Sequence, residues 1–174
     1  SFLPLSFFIA YGLFSIPSGI ILEKTGNKQM IFFAFALSFI GALTIIIFKT
    51  YTSLLFSFFL IGTGMAILQV VINPLLRVSV SPQNFAFFSV IGQLVFGFAS
   101  FLSPIFYKSI VQSSEVNAYS FFADSPWVLI YLSFLLLLAL VSVIVYVVKL
   151  PSITFSEGEK FKFGSTFYLS LIHI

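Results

Sequence analysis

The chain has 174 residues, 60% of them hydrophobic and only 7% charged, against roughly 25% charged in an average soluble domain, which excludes water as its main solvent. The absence of cysteine excludes disulfide frameworks, thiolate metal centres and cysteine nucleophiles together. The net charge of +3 comes from bases scattered between apolar runs, so it predicts no nucleic-acid partner, and the bases read as topology signals.

Crossing a hydrocarbon core of about 30 Å takes roughly 20 apolar helical residues. Five runs qualify: Pro4 to Leu22, Met30 to Phe48, Ser53 to Leu76, Phe85 to Val111 and Trp127 to Lys149. They do not alternate as barrel strands would, and a backbone that cannot hydrogen-bond to lipid favours helices. The expectation is an all-α, polytopic membrane bundle with about five transmembrane helices.

In the first run, Tyr11, Ser15 and Ser18 are spaced i, i+4 and i+7, a modest polar stripe that either lines a pathway or packs helices. Between the first and second runs lies Gly19-Ile-Ile-Leu-Glu-Lys-Thr-Gly-Asn-Lys28, the chain's only compact charged loop. Gly19 and Gly26 bracket it and permit a tight turn. Glu23 can meet a helix N-terminus or a base on a neighbouring segment. With Lys24 and Lys28 it makes a candidate gating loop; the plainer reading is a snorkelling loop whose charges serve topology alone.

The third run holds Gly62-Thr-Gly-Met-Ala-Ile-Leu-Gln-Val-Val-Ile-Asn-Pro-Leu75. Gln69 and Asn73 are four apart and share one helix face, where uncharged amides should meet protein or a water-filled cavity. Pro74 removes a backbone donor and predicts a kink or a helix end. Arg77 reads as a snorkelling anchor. In the fourth run Gln93 is the polar candidate, and Gly92, Gly97, Ala99 and Ser100 suit close helix packing. Trp127 and Tyr131 open the last run, where interfacial aromatics are expected.

The glycine, acid, base, glycine, base pattern of residues 19–28 resembles the loop between the second and third helices of the major facilitator superfamily, with Glu23 for the more usual Asp and Asn27 for a base. The first run, with Phe7-Phe-Ile-Ala-Tyr-Gly12 and Ile16-Pro-Ser-Gly-Ile20, and the Gln69 to Pro74 segment are similar to the second and fourth helices of the fucose and glucose/galactose permease family. That resemblance implies a major-facilitator-type fold, the five runs being helices two to six of twelve, with the first helix and the second half lying beyond this sequence. It implies a secondary transporter of a hexose such as glucose or galactose, working by alternating access, with protons or sodium as co-substrate if it is a symporter. Gln69, Asn73, Gln93 and Tyr11 become the substrate-binding candidates. An amide both donates and accepts, as a sugar hydroxyl requires. Helix packing is the competing role for Gln69 and Asn73.

The resemblance has departures. Where the fucose branch has an acid implicated in proton coupling, this chain has Gln69, which does not titrate, as in the glucose/galactose branch. Phe96 replaces an Asn and Phe88 a base, so the expected cavity is more apolar. No Asp, Glu, Lys, Arg or His lies in the middle of any of the five runs, so an ion site would draw on other segments.

Lys24, Lys28, Arg77, Lys149, Lys160 and Lys162 fall on one side of the spans and Lys49 and Lys108 on the other. The positive side is expected to be cytoplasmic, placing the loops near 23–29, 77–84 and 150–163 on the cytoplasmic side of a cell membrane of bacterial inner-membrane type, and Glu115 and Asp124 on the outer side. Residues 150–168 read as the start of a central cytoplasmic linker after a bundle of residues 1–149. The last six, Leu169 to Ile174, read as adapter read-through or a cloning scar, which leaves His173 without functional weight.

No enzyme, cofactor or metal site is expected. Intramembrane hydrolases need paired acids, a Ser-His set or metal ligands at membrane depth, and every acid here lies at or beyond a span's edge. No phosphate-cradling Gly-x-x-x-x-Gly-Lys loop is present. A facilitator of a non-sugar solute explains the charged loop but not the Gln-Asn-Pro segment; a non-transporting polytopic protein explains only the spans.

Overall fold

The computed structural model describes residues 2–111, 125 and 127–153. The expected external loop with Glu115 and Asp124, the linker beyond Ile153 and the terminal six residues lie outside the described residues. Among the described residues there are five helices: α1 Leu3–Thr25, α2 Asn27–Phe48, α3 Tyr51–Ser79, α4 Phe85–Val111 and α5 Val128–Val147. Each is long and apolar enough to cross a membrane. The expected all-helical, polytopic bundle is what forms.

The boundaries have local causes. Pro4 stands in the first turn of α1, where its missing N–H costs nothing. Gly26 ends α1 with φ 84° and ψ 159°, a backbone region essentially reserved for glycine, and its N–H donates to Leu22 O at 3.1 Å. Lys49 closes α2 in the left-handed conformation, φ 46°. Thr50 then caps α3 with a reciprocal pair of bonds, Ser53 N to Thr50 Oγ1 at 3.2 Å and Thr50 N to Ser53 Oγ at 3.0 Å. Two expectations are met differently here. Of the two outcomes expected at Pro74, a helix end is ruled out, because α3 continues past it to Ser79; neighbouring helices and local adjustments let membrane helices carry an internal proline. The ten-residue loop of residues 19–28 shrinks to the single residue Gly26, since both flanking helices extend through its charged positions.

The third helix is the centre of the packing. Phe2 N donates to Tyr51 Oη at 3.2 Å, Ser6 Oγ donates to Leu55 O at 2.8 Å, and Gly19 faces Val70, so α1 and α3 run parallel and in register. A Cβ at Gly62 would stand 2.5 Å from Phe7 O and 3.1 Å from its Cα. Backbones this close require glycine, the usual way membrane helices gain van der Waals contact when lipid supplies no hydrophobic drive. On the opposite face of α3, Gly64 sits against Ala34 O and Ser38 Oγ, and Ser57 O faces Gly41. The numbers fall on α2 as they rise on α3, so these two are antiparallel.

The fifth helix lies along the far side of α2, also antiparallel. One buried cluster, Leu22, Met30, Ile31, Ala34, Phe35, Ile67, Val71 and Leu138, links α1, α2, α3 and α5. The packing order is therefore α1, α3, α2, α5, while α1 and α2 touch little despite the one-residue connection. The fourth helix leans only slightly on α3 and α5, and every side chain from Val90 to Phe101 is exposed.

Candidate functional site

The polar candidates fall on three helices. On α3, Gln69 is half-buried and Asn73 exposed. Gly62, Ala66, Gln69 and Asn73 share the side of α3 that meets α1, away from the glycine contact with α2. At 1.5 Å per residue Gln69 stands about 15 Å and Asn73 about 9 Å from the end of α3 at Ser79. On α4, Gln93 is exposed and stands about 12 Å from the helix start at Phe85, the same end of the bundle. Counted from these neighbouring ends, Gln69 and Gln93 stand at similar distances along their helices. No hydrogen bond from Gln69, Asn73 or Gln93 occurs among the described residues.

On α1, Tyr11 is half-buried and its ring stacks on Phe7, centroids 6.4 Å apart and planes 20° from parallel. The serines of the expected stripe bond to their own helix: Ser15 Oγ donates to Gly12 O at 3.0 Å and Ser18 Oγ to Phe14 O at 2.5 Å. Their hydroxyl protons are therefore committed to their own helix, and Ser18 is buried at 2% exposure. Of the stripe, Tyr11 alone keeps its polar atom outside such a bond. The structure does not close Tyr11, Gln69, Asn73 and Gln93 into one cavity, because α4, which carries Gln93, stands nearly clear of the other helices.

The expected gating segment is distributed over two helices. Gly19 lies inside α1, half-buried. Half-buried Glu23 and exposed Lys24 occupy the last turns of α1, where a base complements the helix dipole. Past Gly26, Asn27 and Lys28 open α2. A base at a helix N-terminus is electrostatically misplaced, and the structure shows its compensation. Lys28 Nζ donates to Tyr146 O at 2.8 Å, at the negative end of α5, and lies 5.5 Å from the centroid of the Tyr146 ring. Buried Asn27 donates through Nδ2 to Pro151 O at 2.8 Å.

This fastening of the α1–α2 junction to the end of α5 was not legible in the sequence. Its partners are backbone carbonyls more than a hundred positions away, which any residue type supplies. The one signal was Asn27 itself, a departure from the loop pattern whose amide donates where a base would carry charge. Arg77, exposed near the end of α3, occupies the position of the expected anchor.

The contacts bring the ends near Gly26, Ser79 and Val147 to one end of the bundle. Glu23, Lys24, Lys28, Arg77 and Lys149 gather there, with Lys49 and Lys108 near the other end. Among the described residues no group of three or more His, Cys, Asp or Glu is placed to hold a metal.

A family model described as Major Facilitator Superfamily matches residues 1–169. No curated protein and no solved structure matches the chain.

Proposed function

The chain belongs to the major facilitator superfamily, and its five apolar helices are a multi-pass membrane bundle of a secondary transporter; from that premise we propose that its solute is a sugar, a hexose of the glucose or galactose type, moved by alternating access. The observation that carries this reading is the amide pair Gln69 and Asn73. Two uncharged groups, one turn apart on a membrane helix, are without hydrogen bonds among the described residues. An amide left bare at membrane depth is costly, and a polyhydroxylated solute matches its paired donor and acceptor. Gln93, toward the same end of the bundle, offers a third amide, and Tyr11 a hydroxyl beside an aromatic face.

In this reading the five helices take the places of helices two to six of a twelve-helix carrier, and the site closes when α4 and the partner half pack around it. The lysine-rich end faces the cytoplasm of a bacterial inner membrane. Glu23, Lys24, Gly26 and Lys28 sit at the mouth on that side, where the Gly26 hinge and the Lys28 tie to α5 hold the inward gate. Cation coupling, by protons or sodium, uses groups outside these spans.

The test is counterflow of labelled glucose, galactose and fucose by the complete protein in liposomes with no ion gradient, which detects exchange whether or not the carrier is coupled. Hexose exchange is the expected result. Replacing Gln69 or Gln93 by alanine should weaken it by about two- to ten-fold, the loss of one hydrogen bond of roughly 0.5–1.5 kcal/mol. Unchanged affinity in both variants would remove the site assignment, and no hexose exchange by folded protein would move the reading to a facilitator of another solute.

A further inference from the structure

The seam between α2 and α5 holds a feature apart from the amides proposed to bind solute. An open groove of about 340 Å³ runs along it, lined on α2 by Phe32, Ala36 and Phe39 and on α5 by Leu138, Ala139 and Ser142. Its one polar side chain is satisfied internally, Ser142 Oγ donating to Leu138 O at 2.7 Å. The lining is thus hydrocarbon in character, unsuited to a sugar. The two stripes end at the same place. Lys28, Phe32, Ala36 and Phe39 fall on one face of α2, and Tyr146, Ser142 and Ala139 on one face of α5, so the groove leads to the ammonium of Lys28 over the Tyr146 ring. From Lys28 to Phe39 is about 16 Å of helix, close to half of a hydrocarbon core of about 30 Å.

We propose that this seam is a binding site for an anionic phospholipid, with an acyl chain in the α2–α5 groove and the phosphate on Lys28. Lys28 spends one donor on Tyr146 O, and an ammonium has three, so two remain for phosphate oxygens. At the same end Lys24, Arg77 and Lys149 outnumber Glu23 and leave the potential positive, and a basic site between membrane helices beside an apolar groove is the chemistry that selects anionic headgroups. The groove's hydrocarbon lining, about 12 Å long from Phe32 to Ile40, and a cation one helical turn beyond it together match a phospholipid.

The experiment is electron spin resonance of spin-labelled phosphatidylglycerol and phosphatidylcholine with the complete protein reconstituted in phosphatidylcholine vesicles. The expected result is a several-fold excess of motionally restricted phosphatidylglycerol over phosphatidylcholine. Lys28→Gln should abolish the excess, Lys28→Arg should keep it, and Lys108→Gln at the opposite end should leave it unchanged. Ala139→Trp, which fills the groove while leaving Lys28 in place, should also lower it, with helicity by circular dichroism confirming folded protein. Equal restriction of the two lipids, or an excess indifferent to Lys28→Gln, would overturn the proposal. So would disulfide dimerisation through Ala139→Cys in a chain without phosphatidylglycerol preference, which would assign the groove to a second copy.

Discussion

Gly62 and Gly12 are both glycines within membrane helices, yet their surroundings set opposite expectations. A Cβ at Gly62 would meet Phe7 backbone at 2.5 Å, while nothing lies within 4 Å of one at Gly12. Gly62→Leu should therefore force α1 from α3 and destabilise by about 1–3 kcal/mol, as overpacking does. Gly12→Ala should be neutral or stabilise by up to about 1 kcal/mol through helix propensity. Unfolding free energies in mixed micelles check the pair, and equal effects would mean that the α1–α3 approach is misjudged. Gly26 is constrained by conformation instead, with open space around it but φ at 84°. Gly26→Ala should cost about 1–3 kcal/mol, read in the same assay, and should loosen the α1–α2 junction without disturbing the α1–α3 contact.

Among the helices, the tie between α2 and α5 is the most exposed to test. Asn27 to Pro151 O and Lys28 to Tyr146 O fasten the end of α5 to the start of α2. Asn27→Ala should release the chain after α5 at a cost of about 0.5–1.5 kcal/mol. Because proteolysis follows the population of the open form when reclosing is fast, tryptic cleavage after exposed Lys149 should then accelerate by about two- to ten-fold. An unchanged cleavage rate would show that other contacts hold the segment. The fourth helix presents the converse case. Its side chains from Val90 to Phe101, Gln93 included, are exposed, and it leans only slightly on α3 and α5.

For the whole molecule, the contacts place residues 24, 77 and 149 at one end and 49 and 108 at the other. The chain has no cysteine, so single replacements can be introduced without removing any. Cysteines at positions 24, 77 and 149 should react with a membrane-impermeant maleimide from one side of sealed vesicles and those at 49 and 108 from the other. By the lysine distribution the first set is expected inside the cell. Mixed labelling within either set would overturn the five-span topology.

The amino-acid sequence by itself determined the number of spans, their lengths to within a few residues and their alternating direction, because lipid permits only apolar, internally hydrogen-bonded helices to cross. It also marked Gln69, Asn73 and Gln93, since amides in apolar runs stand out one residue at a time. Tertiary structure decided what hydropathy does not encode. It made α3 the hub, reduced a ten-residue loop to Gly26, carried α3 past Pro74, turned Ser15 and Ser18 onto their own helix, and joined Lys28 to Tyr146. These outcomes depend on steric fit between distant small residues and on backbone carbonyls, which leave no periodic trace in a chain where nearly every position is already apolar.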